Sequence, residues 1–200
     1  MGNVALIDYG AGNTRSVMYA LQRLGVKATV TAEPEEIQRA EKVIFPGVGQ
    51  AASAMKKLQK EGLERLIPAL TQPVLGICLG LQLMCRHTRE GDITGMGIFD
   101  AEVVHFRDEA DKTAGLKIPH MGWNRVFPHN SILLTHIPGG SYFYFVHSYF
   151  AQVSAGTKGT AEYGLPFSAV MEKDNFFATQ FHPEKSGEAG EQVLKNFLAL

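Results

Sequence analysis

Only two of the 200 residues are cysteine, Cys78 and Cys85. If both lie on one helix, their Cα atoms stand about 10 Å apart, given a rise of about 1.5 Å per residue. A disulfide needs less than about 7 Å, so the pair is expected to be unbridged, as in a reducing compartment. Cys85 reads as a small core residue. Excess charge is lacking too: 19 Lys and Arg face 20 Asp and Glu, a net charge of −1. Without a basic stripe, neither nucleic acid nor an anionic membrane is an expected partner. No apolar run approaches the roughly 20 residues that span a bilayer. The first eight residues show neither the basic region nor the long apolar stretch of a secretory signal. Met1-Gly2 opens like a myristoylation site, but Leu6 stands where Ser or Thr belongs. A cytoplasmic setting is expected. There is no repeat, linker or low-complexity tract, and the length suits one domain, residues 1–200.

The first half alternates short apolar strands with helical periodicity. Strands are expected at Val4–Asp8, Lys27–Thr31, Lys42–Phe45 and Val74–Ile77. Helices are expected at Asn13–Leu24, stopped by Gly25, at Pro34–Arg39, and near Ala51–Gln59 and Leu63–Leu70. Strands separated by crossover helices imply a mostly parallel central sheet flanked by helices. The second half reads as further strands: Ile98–Phe106, Asn124–Phe127, Tyr142–Val146, Thr157–Tyr163, Phe167–Met171 and Phe176–Gln180. Several are hairpin candidates, so this half adds an antiparallel β region. A helix at Glu188–Leu198 closes the chain. The fold class is α/β.

Residues 73–85 carry the chemistry. An apolar strand ends at Cys78 and a helix opens at Leu79, with Gly76 and Gly80 symmetrically about the cysteine. Gly-x-Cys-x-Gly is the thiol version of the nucleophile elbow. In that turn the nucleophile takes a strained backbone, and neighbouring chain passes so close that only glycine fits on either side. The sulfur stands clear of the sheet at the start of a helix, which favours the thiolate.

A thiol nucleophile needs a base, and the base an orienting group. Of seven histidines, only His182 reads as having an acidic residue at useful spacing, in Phe181-His182-Pro183-Glu184. In an extended segment, His182 and Glu184 project to the same side. Both motifs fall at the carboxyl ends of expected strands, where open α/β sheets place their sites. The oxyanion formed by thiolate attack needs N–H donors. Leu79 supplies one after the nucleophile, and the Pro46-Gly47-Val48-Gly49 loop is a source of a second. Gln82, one turn beyond Cys78, either touches a substrate amide or lies on an exposed helix face. Asp8-Tyr9-Gly10-Ala11-Gly12-Asn13 resembles a dinucleotide fingerprint, but Arg15 occupies the place of the third glycine. No cofactor and no metal is expected. Asn13 either caps a helix or meets a partner. Trp123, the single tryptophan, has polar neighbours that suit an edge or interface. Phe143 and Phe145 read as core, with Tyr142 and Tyr144 on the other side of their strand.

Taken together, the Gly-Ile-Cys-Leu-Gly-Leu-Gln elbow and the Phe-His-Pro-Glu segment resemble the class I, triad-type glutamine amidotransferases. Asp8-Tyr9-Gly10-x-Gly12-Asn13, Phe45–Gly49, Pro119-His120-Met121-Gly122-Trp123-Asn124, Tyr144–Tyr149 and His182–Ser186 narrow the likeness. They point to the glutaminase subunits of imidazole glycerol phosphate synthases, in histidine biosynthesis. These motifs run in order along the whole chain; Thr14 departs mildly, where a larger apolar residue is usual. The resemblance implies that Cys78, His182 and Glu184 form a triad hydrolysing glutamine through a thioester. It implies an oxyanion hole at Val48 and Leu79, and substrate contacts at Gly47, Gln82, Ser148 and Tyr149. It also implies a heterodimer with a (β/α)₈-barrel cyclase subunit that takes the ammonia, faced by Asn13, Trp123, Tyr144 and Lys185. The alternatives are a glutaminase for a different synthase, a stand-alone α/β cysteine hydrolase, and an inactive scaffold.

Overall fold

The computed structural model describes residues 3–10 and 13–200; Met1-Gly2 and the Ala11-Gly12 part of the glycine turn lie outside them. The first strands are β1 (Val4–Ile7), β2 (Ala28–Thr31), β3 (Lys42–Gly47) and β4 (Val74–Cys78). Next come β5 (Cys85–Thr88), β6 (Ile93–Thr94), β7 (Phe99–His105), β8 (His120–Pro128) and β9 (Ser141–His147). The last are β10 (Tyr149–Ala151), β11 (Thr157–Glu162), β12 (Pro166–Lys173) and β13 (Phe176–Thr179). Nine of them make one sheet in the order β2-β1-β3-β4-β13-β12-β11-β8-β9. The five from β2 to β13 run parallel. The rest pair antiparallel, as the sequence leads one to expect. A second sheet, β10-β7-β5-β6, lies beside them.

Alternation along β1 divides the core. Val4 and Leu6 belong to one buried cluster with Val17, Leu21, Val193 and Phe197. Ala5 and Ile7 belong to another with Ile37, Ala54 and Leu58. Successive strand residues face opposite ways, so helices α1 (Thr14–Arg23) and α7 (Gly187–Leu198) cover one face. Helices α2 (Pro34–Arg39) and α3 (Ala51–Lys60) cover the other. Asn13 caps α1, its side chain accepting from the Ser16 N–H at 3.3 Å, and Gly25 follows with φ +73°.

The structure departs from the sequence reading most clearly after the elbow. The helix after the elbow, Leu79–Met84, is one and a half turns long, and Cys85 opens β5 instead of continuing it. A β-strand reading of Cys85–Thr88 has no alternation to announce it. Cys85 is nonetheless fully buried, and both cysteines are free. Burial pushes the Cys85 thiol above its usual range.

Candidate active site

The elbow forms where β4 passes directly into the helix Leu79–Met84. Cys78 sits at φ 56°, ψ −107°, a conformation that L residues adopt only when their surroundings impose it. A Cβ at Gly76 would meet the Met84 sulfur at 2.8 Å, and one at Gly80 would overlap the carbonyl oxygen of Phe45. Gly80 therefore has to be glycine, while a Cβ at Gly76 would force the Met84 side chain to move; the turn presses β4 and its helix against β3.

β13 is the parallel neighbour of β4, with Thr179 level with Ile77. The chain leaving β13 carries His182 to the end of the sheet where Cys78 emerges. Both residues line one cavity of about 310 Å³. His182 Nδ1 and Glu184 Oε1 are 2.8 Å apart, with side chains 2% and 1% exposed. The pairing matches the sequence reading, but its cause does not. Pro183–Lys185 is a 3₁₀ turn, not an extended segment. The turn brings Glu184 back under the ring, and Ser186 Oγ donates to the His182 carbonyl to hold it.

A carboxylate at Nδ1 fixes the proton there, which leaves Nε2 as the basic nitrogen of the neutral ring. Nε2 is buried and makes no hydrogen bond. Burial disfavours the imidazolium, but the neighbouring Cys78 and Glu184 outweigh it and raise His182 to about 10. Cys78 comes first among the raising influences, through hydrogen bonding and charge, although its sulfur contact to Nε2 falls short of full hydrogen-bond geometry. Cys78 Sγ instead approaches the Val146 carbonyl at 4.0 Å and the Gln180 amide at 3.6 Å.

Val48, Leu79, Gln82, Ser148 and Tyr149 also line the cavity. Gly47 does not: it is level with Cys78 in the β3–β4 register, and a Cβ there would meet Leu79 and the Tyr9 hydroxyl at 2.8 Å. Its place is underneath the site, as a close-approach glycine. Gln82 is buried, which excludes the exposed helix face. Its Nε2 donates to the Tyr149 carbonyl at 2.8 Å and to Gln180 Oε1 at 3.0 Å. With both N–H donors engaged, what it offers a ligand is an acceptor.

Two residues of the cavity, Glu90 and His147, and one buried beside it, Gln180, escaped the sequence reading. Glu90 caps α3 through the Ala51 N–H at 2.8 Å, and burial raises its carboxyl. His147 donates from Nδ1 to the Tyr149 carbonyl at 2.8 Å and accepts at Nε2 from His120 at 2.9 Å. Burial lowers His147 to about 3 and His120 to about 4, so both are neutral. Gln180 had only its neighbour His182 to mark it. The expectation that His182 alone among the histidines has an acidic partner needs correction. His87 meets Asp92 at 3.0 Å and Glu102 at 3.6 Å, on β5 and away from the cavity.

The residues expected to face a partner lie outside the cavity. Trp123 is 56% exposed and pairs with Tyr144 across β8 and β9, ring centroids 6.1 Å apart. Lys185 Nζ stands 6.0 Å from the Tyr144 ring. The helix that Asn13 caps packs against the turn bearing Lys185.

A thiol, an imidazole and a carboxylate at the carboxyl edge of a parallel sheet make the nucleophile–base–acid set of a cysteine hydrolase. A family model described as glutamine amidotransferase class-I matches residues 5–200. The imidazole glycerol phosphate synthase subunit HisH of Bacteroides fragilis is 53% identical over 197 residues, covering 98% of this chain and 99% of that protein. The Escherichia coli K12 protein of the same name is 46% identical over 200 residues, covering 99% and 100%. A crystal structure of a glutamine amidotransferase superposes with a TM-score of 0.74 at 18% identity, over 98% and 97% of the two chains. A chain of PurLQS from Thermotoga maritima gives 0.71 at 19%, over 100% and 99%. The chain thus belongs to the class-I glutamine amidotransferases and, among them, to the HisH family.

Proposed function

We propose that this chain, acting as one glutamine amidotransferase domain, hydrolyses the side-chain amide of glutamine to glutamate and ammonia. The observation that carries the reading is the convergence of Cys78 and His182 on one cavity, with Glu184 on the far nitrogen of the imidazole. With His182 raised to about 10, its Nε2 already carries the proton at neutral pH, and the Cys78 thiolate beside it attacks the amide carbon. The oxyanion forms against the backbone N–H groups of Val48 and Leu79, each such donor being worth about 10²–10³ in rate. His182 returns the proton to the amide nitrogen, and ammonia leaves. Water then attacks the γ-glutamyl thioester, giving its proton to Nε2; the C–S bond breaks, glutamate leaves, and the Cys78 thiolate is restored beside the protonated His182. Glu184 holds the Nδ1 proton and balances the imidazolium throughout. Gln82, Ser148 and Tyr149 line the space for the amino-acid end of the substrate, above Gly47.

The relatives are subunits of imidazole glycerol phosphate synthase, and we assign this chain the same place in histidine biosynthesis. Its partner is then a (β/α)₈-barrel cyclase subunit, which accepts the ammonia in an enclosed path; in open water that ammonia would be protonated and diluted. Met121, Trp123, Phe127 and Tyr142 are exposed along β8 and β9. An apolar strip of this kind suits a protein interface, with Tyr144, Lys185 and Asn13 beside it. A cytoplasmic setting accords with two unbridged cysteines. Among the described residues no helix is long and apolar enough to cross a membrane.

Incubation with a diazo-ketone analogue of glutamine, followed by peptide mapping, tests the reading. Labelling of Cys78 together with loss of ammonia release is expected. Label on another residue, or full activity after Cys78 is labelled, refutes it.

A further inference from the structure

Gln180 is completely buried and follows directly on β13, beside the strand that delivers Cys78. Its Nε2 lies 3.6 Å from the Cys78 sulfur, and its Oε1 accepts from Gln82 Nε2 at 3.0 Å. For packing alone, a Met or Leu would fill this volume without desolvating an amide.

The direction of that amide is set by one group. The Tyr149 carbonyl can only accept, and Gln82 donates to it at 2.8 Å. Gln82 must therefore present its NH₂ at that point. The same NH₂ faces Gln180, so Gln180 turns its oxygen toward Gln82 and its N–H toward the sulfur. Flipping either amide would set donor against donor or acceptor against acceptor. The Tyr149 carbonyl also accepts from His147 Nδ1 at 2.8 Å, which ties the same anchor to the neutral histidine pair.

We propose that Gln180 is a hydrogen-bond donor to the nucleophile: it holds the Cys78 sulfur in place and stabilises its thiolate, with Gln82 and the Tyr149 carbonyl fixing its direction. A thiolate accepts a hydrogen bond far better than a thiol, because bonds to ionised groups are the strong ones. A fixed donor therefore favours the ionised sulfur. The proposal rests on the reading of Cys78 as the nucleophile of a glutaminase.

The test is alkylation of the intact chain by iodoacetamide across pH, with the labelled residue mapped. Gln180→Met keeps the volume and removes the donor. Alkylation of Cys78 near neutral pH is expected to slow about tenfold, and the pH profile to move up by about one unit. Gln180→Glu should move the profile further the same way, through repulsion of the thiolate. In glutamine turnover, kcat should fall with KM little changed. A Gln180→Met profile that superimposes on the parent overturns the proposal. Failure of the glutaminase reading looks different: the parent would hydrolyse no glutamine while the alkylation shift remained. If circular dichroism shows that Gln180→Met does not fold, Gln82→Met keeps the donor but releases its anchor. It should then slow alkylation about threefold, as a weakened charged hydrogen bond, and an unchanged rate there likewise overturns the proposal.

Discussion

His182 Nδ1 lies 2.8 Å from Glu184 Oε1 across a single 3₁₀ turn, with both side chains buried. The carboxylate thereby fixes the ring's tautomer and leaves the proton-transferring nitrogen facing the cavity. His182→Ala should lower glutamine turnover by about 10²–10⁴, the usual worth of a positioned acid–base group. Glu184→Gln should cost about tenfold less than that, because the third member orients rather than transfers protons. Steady-state ammonia release by the two variants checks this, and the reverse ranking would reassign the roles.

The charges around His182 also make stability depend on pH. Its folded value of about 10 lies above the ordinary 6.5, so its contribution is complete below 6.5 and disappears as pH rises toward 10. The stability gap between the parent and His182→Ala should narrow over that window in denaturant titrations. His120 and His147 work at the other end. Their folded values, about 4 and about 3, lie below 6.5. The unfolded chain then binds protons that the folded chain refuses, and stability drops as pH falls from 6.5 toward those values. His120→Asn should lose less stability than the parent between about pH 7 and about pH 4.5.

Cys78 at φ 56° isolates the cost of the elbow. Cys78→Ala and Cys78→Gly should both abolish ammonia release. Glycine tolerates the turn, while alanine keeps the strain of about 1–3 kcal/mol, offset in part by the entropy of glycine, about 0.5–1 kcal/mol. Cys78→Gly should therefore be more stable than Cys78→Ala by about 1 kcal/mol. Equal unfolding midpoints would mean that the turn stores no strain.

Gly80→Ala should damage the fold itself. Its Cβ would press on the Phe45 carbonyl, which is backbone and cannot swing aside. A loss of about 1–3 kcal/mol is expected, as for other overpacked sites, together with loss of Cys78 reactivity. An unchanged melting temperature would count against the close approach.

Trp123 and Lys185 should separate folding from assembly. Trp123 and Lys185 are both exposed, Lys185 standing 6.0 Å from the Tyr144 ring, so alanine at either should change the melting temperature little. Binding to the cyclase partner proposed above should weaken, by about 2 kcal/mol or more if Trp123 is an aromatic anchor there. Isothermal titration with the partner measures this; unaltered affinity in both would remove them from the interface.

The order of strands and helices as far as the elbow is legible because local periodicity and glycine punctuation set it. So are the elbow, the unbridged cysteines and the core placing of Phe143 and Phe145. Those features depend on residues close together in the chain. The tertiary structure alone decided that Cys85 opens a strand, that Glu184 reaches His182 through a 3₁₀ turn, and that Gln82 turns inward. It also decided that His147 lines the cavity, that Gln180 is buried against the Cys78 sulfur, and that Gly47 lies beneath the site. Each of these depends on which strand lies beside which, and the pairing of β13 with β4 joins residues about a hundred positions apart. No local pattern encodes that contact; it arises from burying both faces of a single sheet.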